Sequence, residues 1–190
     1  MRRTRAALAT VMLAAALTGC TTAQSHPPPC RGSYDNLLIL EAQAVPSAVL
    51  VPCVSSLPIG WTFGGWLIET GRARFWLDSD RAGIHAVEVE LTRDCDISGA
   101  VEVPPAPGEV GVRIFQEPTS LPPAFAAVRS MVFPGGCIRY HFNFQRGAPP
   151  SLVLEAVGAL GTVQREVLVR QVERAVGITL CGAGAPPCAG

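Results

Sequence analysis

The sequence predicts an α+β domain: an antiparallel sheet of about five to seven strands with two C-terminal helices packed on one face, held by disulfides. Three observations carry this expectation. Period-two apolar alternation runs through residues 66–92 and 126–144, interrupted by Gly- and Pro-bearing turns. Period-3.6 apolar spacing is confined to residues 151–176. Six of the seven cysteines, an even number, are spread from residue 30 to residue 188, around these stretches.

The first strands are the most readable. Trp66–Thr70 and Ala73–Asp78 flank Gly71-Arg72, a pair suited to a type II′ hairpin turn. That register sets Trp66 against Leu77 and Ile68 against Phe75 on one face, and Glu69 against Arg74 on the other. His85–Thr92 alternates again. A loop over Ser79–Gly83 sets Phe75 against Val87, Arg74 against Glu88 and Arg72 against Glu90. Both pairings bury the same face, which predicts a three-stranded meander with one wet side.

Glu102–Gly111 is a Pro-rich loop, with a short strand at Val112–Phe115. A second hairpin follows, from Ala126–Phe133 through the turn Pro134-Gly135-Gly136 to Cys137–Phe144. Its expected parity groups Ile138, Tyr140, Phe142 and Phe144 with Val128 and Val132. Arg139, His141 and Asn143 then share the opposite face with Arg129 and Met131. Ser151 is placed to cap one helix, and Thr162, after Gly161, a second that Gly177 ends. Ile178–Leu180 is expected to return as an edge strand. Upstream, Leu37–Gln43 and Ala48–Val54 are apolar segments broken by Pro46. Pro52 makes the second an edge strand.

The N-terminus carries an address rather than a fold. Arg2, Arg3 and Arg5 precede the small and apolar run Ala6–Ala16, and Leu17-Thr18-Gly19-Cys20 closes it as a lipobox. The run is too short to span a hydrocarbon core of ~30 Å. The expectation is a lipoprotein signal peptide over residues 1–19, with diacylglycerol on the Cys20 thiol. Residues 20–36, with Pro27-Pro28-Pro29, are a Pro-rich tether. Residues 37–190 are a single extracytoplasmic domain with its order beginning near Leu37. Without residues 1–19 the chain keeps 171 residues, no lysine, 12 arginines and 15 acidic residues, a net charge of −3. That balance argues against nucleic acid. The remaining cysteines are Cys30, Cys53, Cys95, Cys137, Cys181 and Cys188. No C-x2-C pair supports zinc, and an exported chain permits three bridges. Six cysteines allow 15 connectivities. The expected pairing is Cys181–Cys188 as a local clasp, with Cys30–Cys53 and Cys95–Cys137.

No arrangement of nucleophile, base and orienting group is evident. Ser130 is sent by its parity away from Arg139, His26 lies in the tether, and His85 sits at a strand edge. Asp94, Asp96, Glu88 and Glu90 form no marked acid/base couple. Asp78-x-Asp80-x-x-Gly83 begins like an EF-hand loop, but Ala82 and Val89 stand where ligands are required, so its aspartates bond local backbone. The candidate ligand surface is Trp76, Arg129, Arg139 and His141: an aromatic on the polar face, and a cationic group suited to anions.

The tracts Val51-Pro52-Cys53 to Leu57-Pro58-x-Gly60-Trp61, Phe75-Trp76-Leu77-Asp78-Ser79-Asp80-Arg81-Ala82-Gly83, Phe133-Pro134-Gly135-Gly136-Cys137 and Leu180-Cys181-Gly182-Ala183-Gly184-Ala185-Pro186-Pro187-Cys188 resemble those of uncharacterised surface lipoproteins from GC-rich Gram-positive bacteria. The resemblance covers most of the mature chain. It implies an envelope protein and brings no activity and no site residues. The expected function is therefore a non-enzymatic binding or scaffolding module on the outer face of the cell membrane. It would be attached through lipid on Cys20, without cofactor or metal, with an envelope glycan or a membrane protein as partner. The alternatives are an envelope hydrolase with a dispersed site, or an accessory subunit of a membrane enzyme.

Overall fold

The computed structural model describes residues 26–31, 35–105 and 110–188. The signal and Cys20 lie outside them. Seven antiparallel strands form the main sheet: β2 (Trp61–Glu69), β3 (Arg72–Ser79), β4 (Gly83–Thr92), β5 (Val101–Val103), β6 (Arg113–Ser120), β7 (Ala126–Phe133) and β8 (Gly136–Asn143), in the order β2-β3-β4-β8-β7-β6-β5. A second sheet pairs β1 (Leu50–Val54) with β9 (Leu160–Gln164). The helices are α1 (Asn36–Ala44), α2 (Leu152–Ala159) and α3 (Arg165–Val176). The α+β class and the disulfide staples are as the sequence predicts.

Local chemistry explains the added and changed elements. Asp35 caps α1, its carboxylate accepting from the Leu37 N–H at 2.8 Å, so the apolar run 37–43 starts as a helix. Residues 160–164 form a strand where a helix capped by Thr162 was expected. β1 carries the buried Val51 and Cys53 and needs a hydrogen-bonding neighbour, and the β-branched Thr162 and Val163 supply one. α3 then begins at Arg165, and Gly177, at φ 68°, closes it as expected. Residues 178–180 do not form the expected edge strand. The short strand at 112–115 is the eight-residue β6. The tether is also shorter than expected. The Val54 N–H donates to the Pro28 carbonyl and the Cys30 N–H to the Val54 carbonyl, so residues 28–30 belong to the fold.

The meander keeps its predicted faces but not its predicted register. Glu69 pairs with Arg72, so the turn is Thr70-Gly71, with Gly71 at φ 84° in the second central position. A bulge at Gly64–Gly65 switches parity, so Trp61 and Phe63 face inward along with Trp66 and Ile68. Ser79 faces Gly83, as the expected loop requires, but an irregularity beside Leu77 takes up two extra residues of β4 and moves the rest by two residues along that strand. Leu77 therefore meets Val87 and Phe75 meets Val89. A two-residue displacement preserves side-chain parity. The predicted ion pairs survive as diagonals: Arg74 with Glu88 at 3.4 Å, Arg74 with Glu69 at 3.6 Å, and Arg72 with Glu90 at 3.6 Å.

The inward face of the main sheet buries Phe75, Leu77, Val87, Val89, Leu91, Ile114, Ile138 and Phe142 against Val45, Ala48, Leu152 and Ala156. A smaller cluster joins Leu38 and Ala42 of α1 and Val51 of β1 to Leu168, Val169 and Val172 of α3. Arg165 ties it together: its guanidinium donates to the carbonyls of Ala42 and Cys181, and its backbone N–H to Val49. The disulfides join Cys30 to Cys53, Cys95 to Cys137 and Cys181 to Cys188, the pairing expected. The unreduced chain should therefore resist alkylation at all six thiols, read by mass spectrometry. Replacing Cys95 and Cys137 together by Ala should cost ~3–4 kcal/mol by the loop-entropy account, read by chemical denaturation.

Glu41 is fully buried in α1, and neither carboxyl oxygen has a hydrogen-bond partner. Burial, with Asp35 adding repulsion, pushes its carboxyl well above the usual range, so the fold prefers the neutral acid. A raised folded pKa gives stability that is complete below the ordinary carboxylate pKa and is lost as pH rises towards the folded value. Glu41→Met should thus gain over the parent progressively above pH ~4.5, by roughly 1–3 kcal/mol near neutrality, as thermal melts across pH will show.

Candidate functional site

The outward face of the main sheet is polar but well ordered. Arg72, Arg74 and Trp76 of β3 lie beside Glu88 and Glu90 of β4, and these beside Arg139 and His141 of β8. Glu90 is the hub. Its side chain is only 8% exposed, with Arg139 at 3.3 Å, Arg72 at 3.6 Å and the His141 Nε2 at 3.7 Å. Hydrogen bonding from His141, helped by the two arginines, holds the carboxyl below its ordinary value despite the opposing effect of burial. The face expected to be wet is therefore dry at Glu90.

Trp76 is held from three sides. Its indole N–H donates to Glu88 at 3.0 Å, its ring stacks on His85 at 5.2 Å, and the Arg74 guanidinium lies 5.6 Å from its centroid. Arg74 precedes Trp76 by two residues on its strand. His85 is fixed beyond it, donating its N–H to Asp78 at 2.7 Å, with φ at 50°. A shallow groove of about 620 Å³ runs across this face, lined by Trp76, His85, Glu88, Arg139, His141 and Asn143 among others. Three of the four candidate residues thus converge.

The fourth does not. β7 meets β8 through a two-residue turn, Pro134-Gly135, with Gly136 already paired to Phe133. The expected three-residue turn was one residue too long, and one residue reverses every side chain of β7 relative to β8. Arg129 pairs with Tyr140 and faces inward, lining a separate cleft of about 460 Å³ with Leu50, Val112, Met131 and Leu160. Ser130 moves the other way. It lies opposite Arg139 on the outer face and is 3% exposed. The cationic group Arg129/Arg139/His141 therefore does not exist as such. Met131 also turns inward, to Ile138.

The remaining candidates are accounted for locally. His26 sits 3.5 Å from Asp35. Asp78 binds the His85 backbone, as expected of a hairpin loop, and Asp80 lies 3.6 Å from Arg81. Among the described residues no group of His, Cys, Asp or Glu side chains could hold a metal, and no helix is long and apolar enough to cross a membrane. Sequence reasoning missed Glu90 as the hub and Asn143 and His85 as groove residues. The signal for Glu90 was its alternation with three cations on neighbouring strands. His85 reaches the groove only through its unusual backbone. Comparison of the chain with protein-family models, curated proteins and solved structures finds no match.

Glu90→Gln should destabilise the fold by about 2 kcal/mol at pH 7, since it leaves partly covered cations without their carboxylate. A depressed folded pKa gives stability present above the ordinary carboxylate value and lost as pH falls through the folded one. The penalty should therefore shrink towards pH 3. An equal penalty at both ends, by thermal melts, would contradict the ion-pair account.

Proposed function

We propose that this chain is a non-enzymatic binding module of the cell envelope, anchored outside the membrane by lipid on Cys20, and that its outer-face groove holds a hydroxyl-rich envelope glycan. The observation that carries the ligand reading is the groove's internal charge pairing. Glu88 is engaged by Arg74 and Trp76, and Glu90 by Arg139, Arg72 and His141. Such a surface has little net charge to offer an ion. It presents carboxylate, guanidinium, imidazole and amide groups in alternation, suited to hydroxyls that both donate and accept. Trp76 contributes an ordered apolar edge rather than a free ring face.

The same pairing argues against the hydrolase alternative. A glycosidase acid needs a carboxyl raised towards neutrality. Glu90 is held in the opposite direction. The lipobox and three disulfides support an oxidising, extracytoplasmic setting. Two measurements test the proposal. Palmitate-analogue labelling should mark the parent chain and not Cys20→Ser. Titration with solubilised wall glycan should change tryptophan fluorescence saturably, with roughly tenfold weaker binding in Asn143→Ala, a substitution at an exposed rim. Turnover of the glycan would overturn the non-enzymatic reading.

A further inference from the structure

One end of the main sheet gathers the loops β1–β2, β3–β4 and β6–β7 with the segment from β8 to α2. Backbone hydrogen bonds stitch them together. The Asp80 N–H donates to Gly60 at 2.9 Å, Gln145 to Ala82 at 2.7 Å, Phe144 to Phe125 at 2.9 Å and Gly147 to Pro123 at 2.6 Å. Arg81 adds a bridge, donating to the Ile59 carbonyl at 3.3 Å and to Glu155 of α2 at 3.0 Å. Polar contacts join the loops of this pole, and its tips are apolar. Ile59 is 96% exposed, Ile84 82%, Leu154 76% and Leu121 72%; among the described large hydrophobics only Val110, at 91%, is as bare, and it precedes β6 at the other end. Singly such residues need no explanation, but four on one stitched surface do. Arg146 lies exposed among them, and among the described residues no carboxylate pairs with it.

The chain's own course says what covers this pole. Residues 28–30 pair with Val54, and the residue after Val54 begins the loop that carries Ile59. Pro28 is eight positions on from Cys20, and eight Cα–Cα steps reach at most ~28 Å. A lipid on Cys20 would hold this part of the fold near the bilayer. We infer that the pole of Ile59, Ile84, Leu121 and Leu154 is a membrane-docking surface. Its apolar tips enter the headgroup boundary and Arg146 meets anionic phosphates, so the sheet stands off the membrane with its groove facing sideways. The inference rests on the anchoring proposed above.

The test uses the acylated full-length product on vesicles of phosphatidylcholine and phosphatidylglycerol containing brominated acyl chains. Ile59→Trp and Leu154→Trp place fluorophores at exposed positions, with Val110→Trp as the opposite-end reference. Quenching beyond that of the parent's own tryptophans should be roughly twofold or more greater at 59 and 154 than at 110. Equal quenching at both ends, or none at 59 and 154, overturns the docking surface. Intact mass reports the lipid separately. A chain without it refutes the anchoring reading, while the quenching pattern on added vesicles still decides the pole.

Discussion

The arrangement of the outer face depends on a two-residue turn held in place from outside. Gly135 takes φ 73°, and a Cβ there would fall 1.9 Å from the Ser47 carbonyl oxygen. Ser47 also donates its hydroxyl to the Gly135 carbonyl at 2.7 Å. Behind it, a Cβ on Gly136 would stand 2.9 Å from Ala48. The segment between α1 and β1 thus grips the tip of the β7–β8 hairpin so closely that a longer turn has no space. Because side chains alternate with period two, the grip decides which residues of β7 meet β8 on each face. It sends Ser130 outward to Arg139 and Arg129 inward to Tyr140. The composition of the groove is therefore set partly by a contact from the segment between α1 and β1.

This explains what could be read from the chain and what could not. The parity of β3 and β4 was legible because Phe75, Leu77, Val87, Val89 and Leu91 are unambiguous, and the one irregularity between them moved their pairing by an even step. β7 offered no such guidance: Val128, Ser130 and Val132 alternate with Arg129 and Met131, and both faces carry apolar residues. Only the turn length could decide, and Pro-Gly-Gly permits two readings. Trp76, Arg139 and His141 were legible as residues of one outer face because β3 and β8 were correctly faced. Arg129 failed with β7. The strand β9 was invisible because its reason, an unpaired β1, lies more than a hundred residues away. The disulfide pairing was legible in part from loop length, since Cys188 follows Cys181 by only seven positions.

Charge on this molecule follows burial in two opposite ways. Glu90 is covered, yet it remains ionised because two arginines and the His141 imidazole converge on it from β3 and β8. Glu41 is covered with no partner, and its carboxyl is driven towards the neutral form. Arg165 takes a third course, meeting its buried charge with backbone carbonyls alone. The first arrangement orders a surface, and the last two order the smaller core between α1 and α3. Had Glu41 and Arg165 met each other, that core would hold a salt bridge; as built, each depends on its own surroundings.

The groove and the apolar pole occupy different parts of one sheet, and that separation has a physical consequence. β3, β4 and β8 run from the pole to the opposite end, so residues early in β4 sit near the loops and Glu90 sits further along the strand. His85 joins the two regions. It follows Ile84 of the pole directly and stacks on Trp76 of the groove, and its left-handed backbone sets the angle between them. A docked pole would steady the β3–β4 loop, and through His85 the indole that borders the groove. Ligand and membrane would then act on one short stretch, Asp78 to His85, shaped by the Asp78 bond to the His85 N–H and by the bulge beside Leu77.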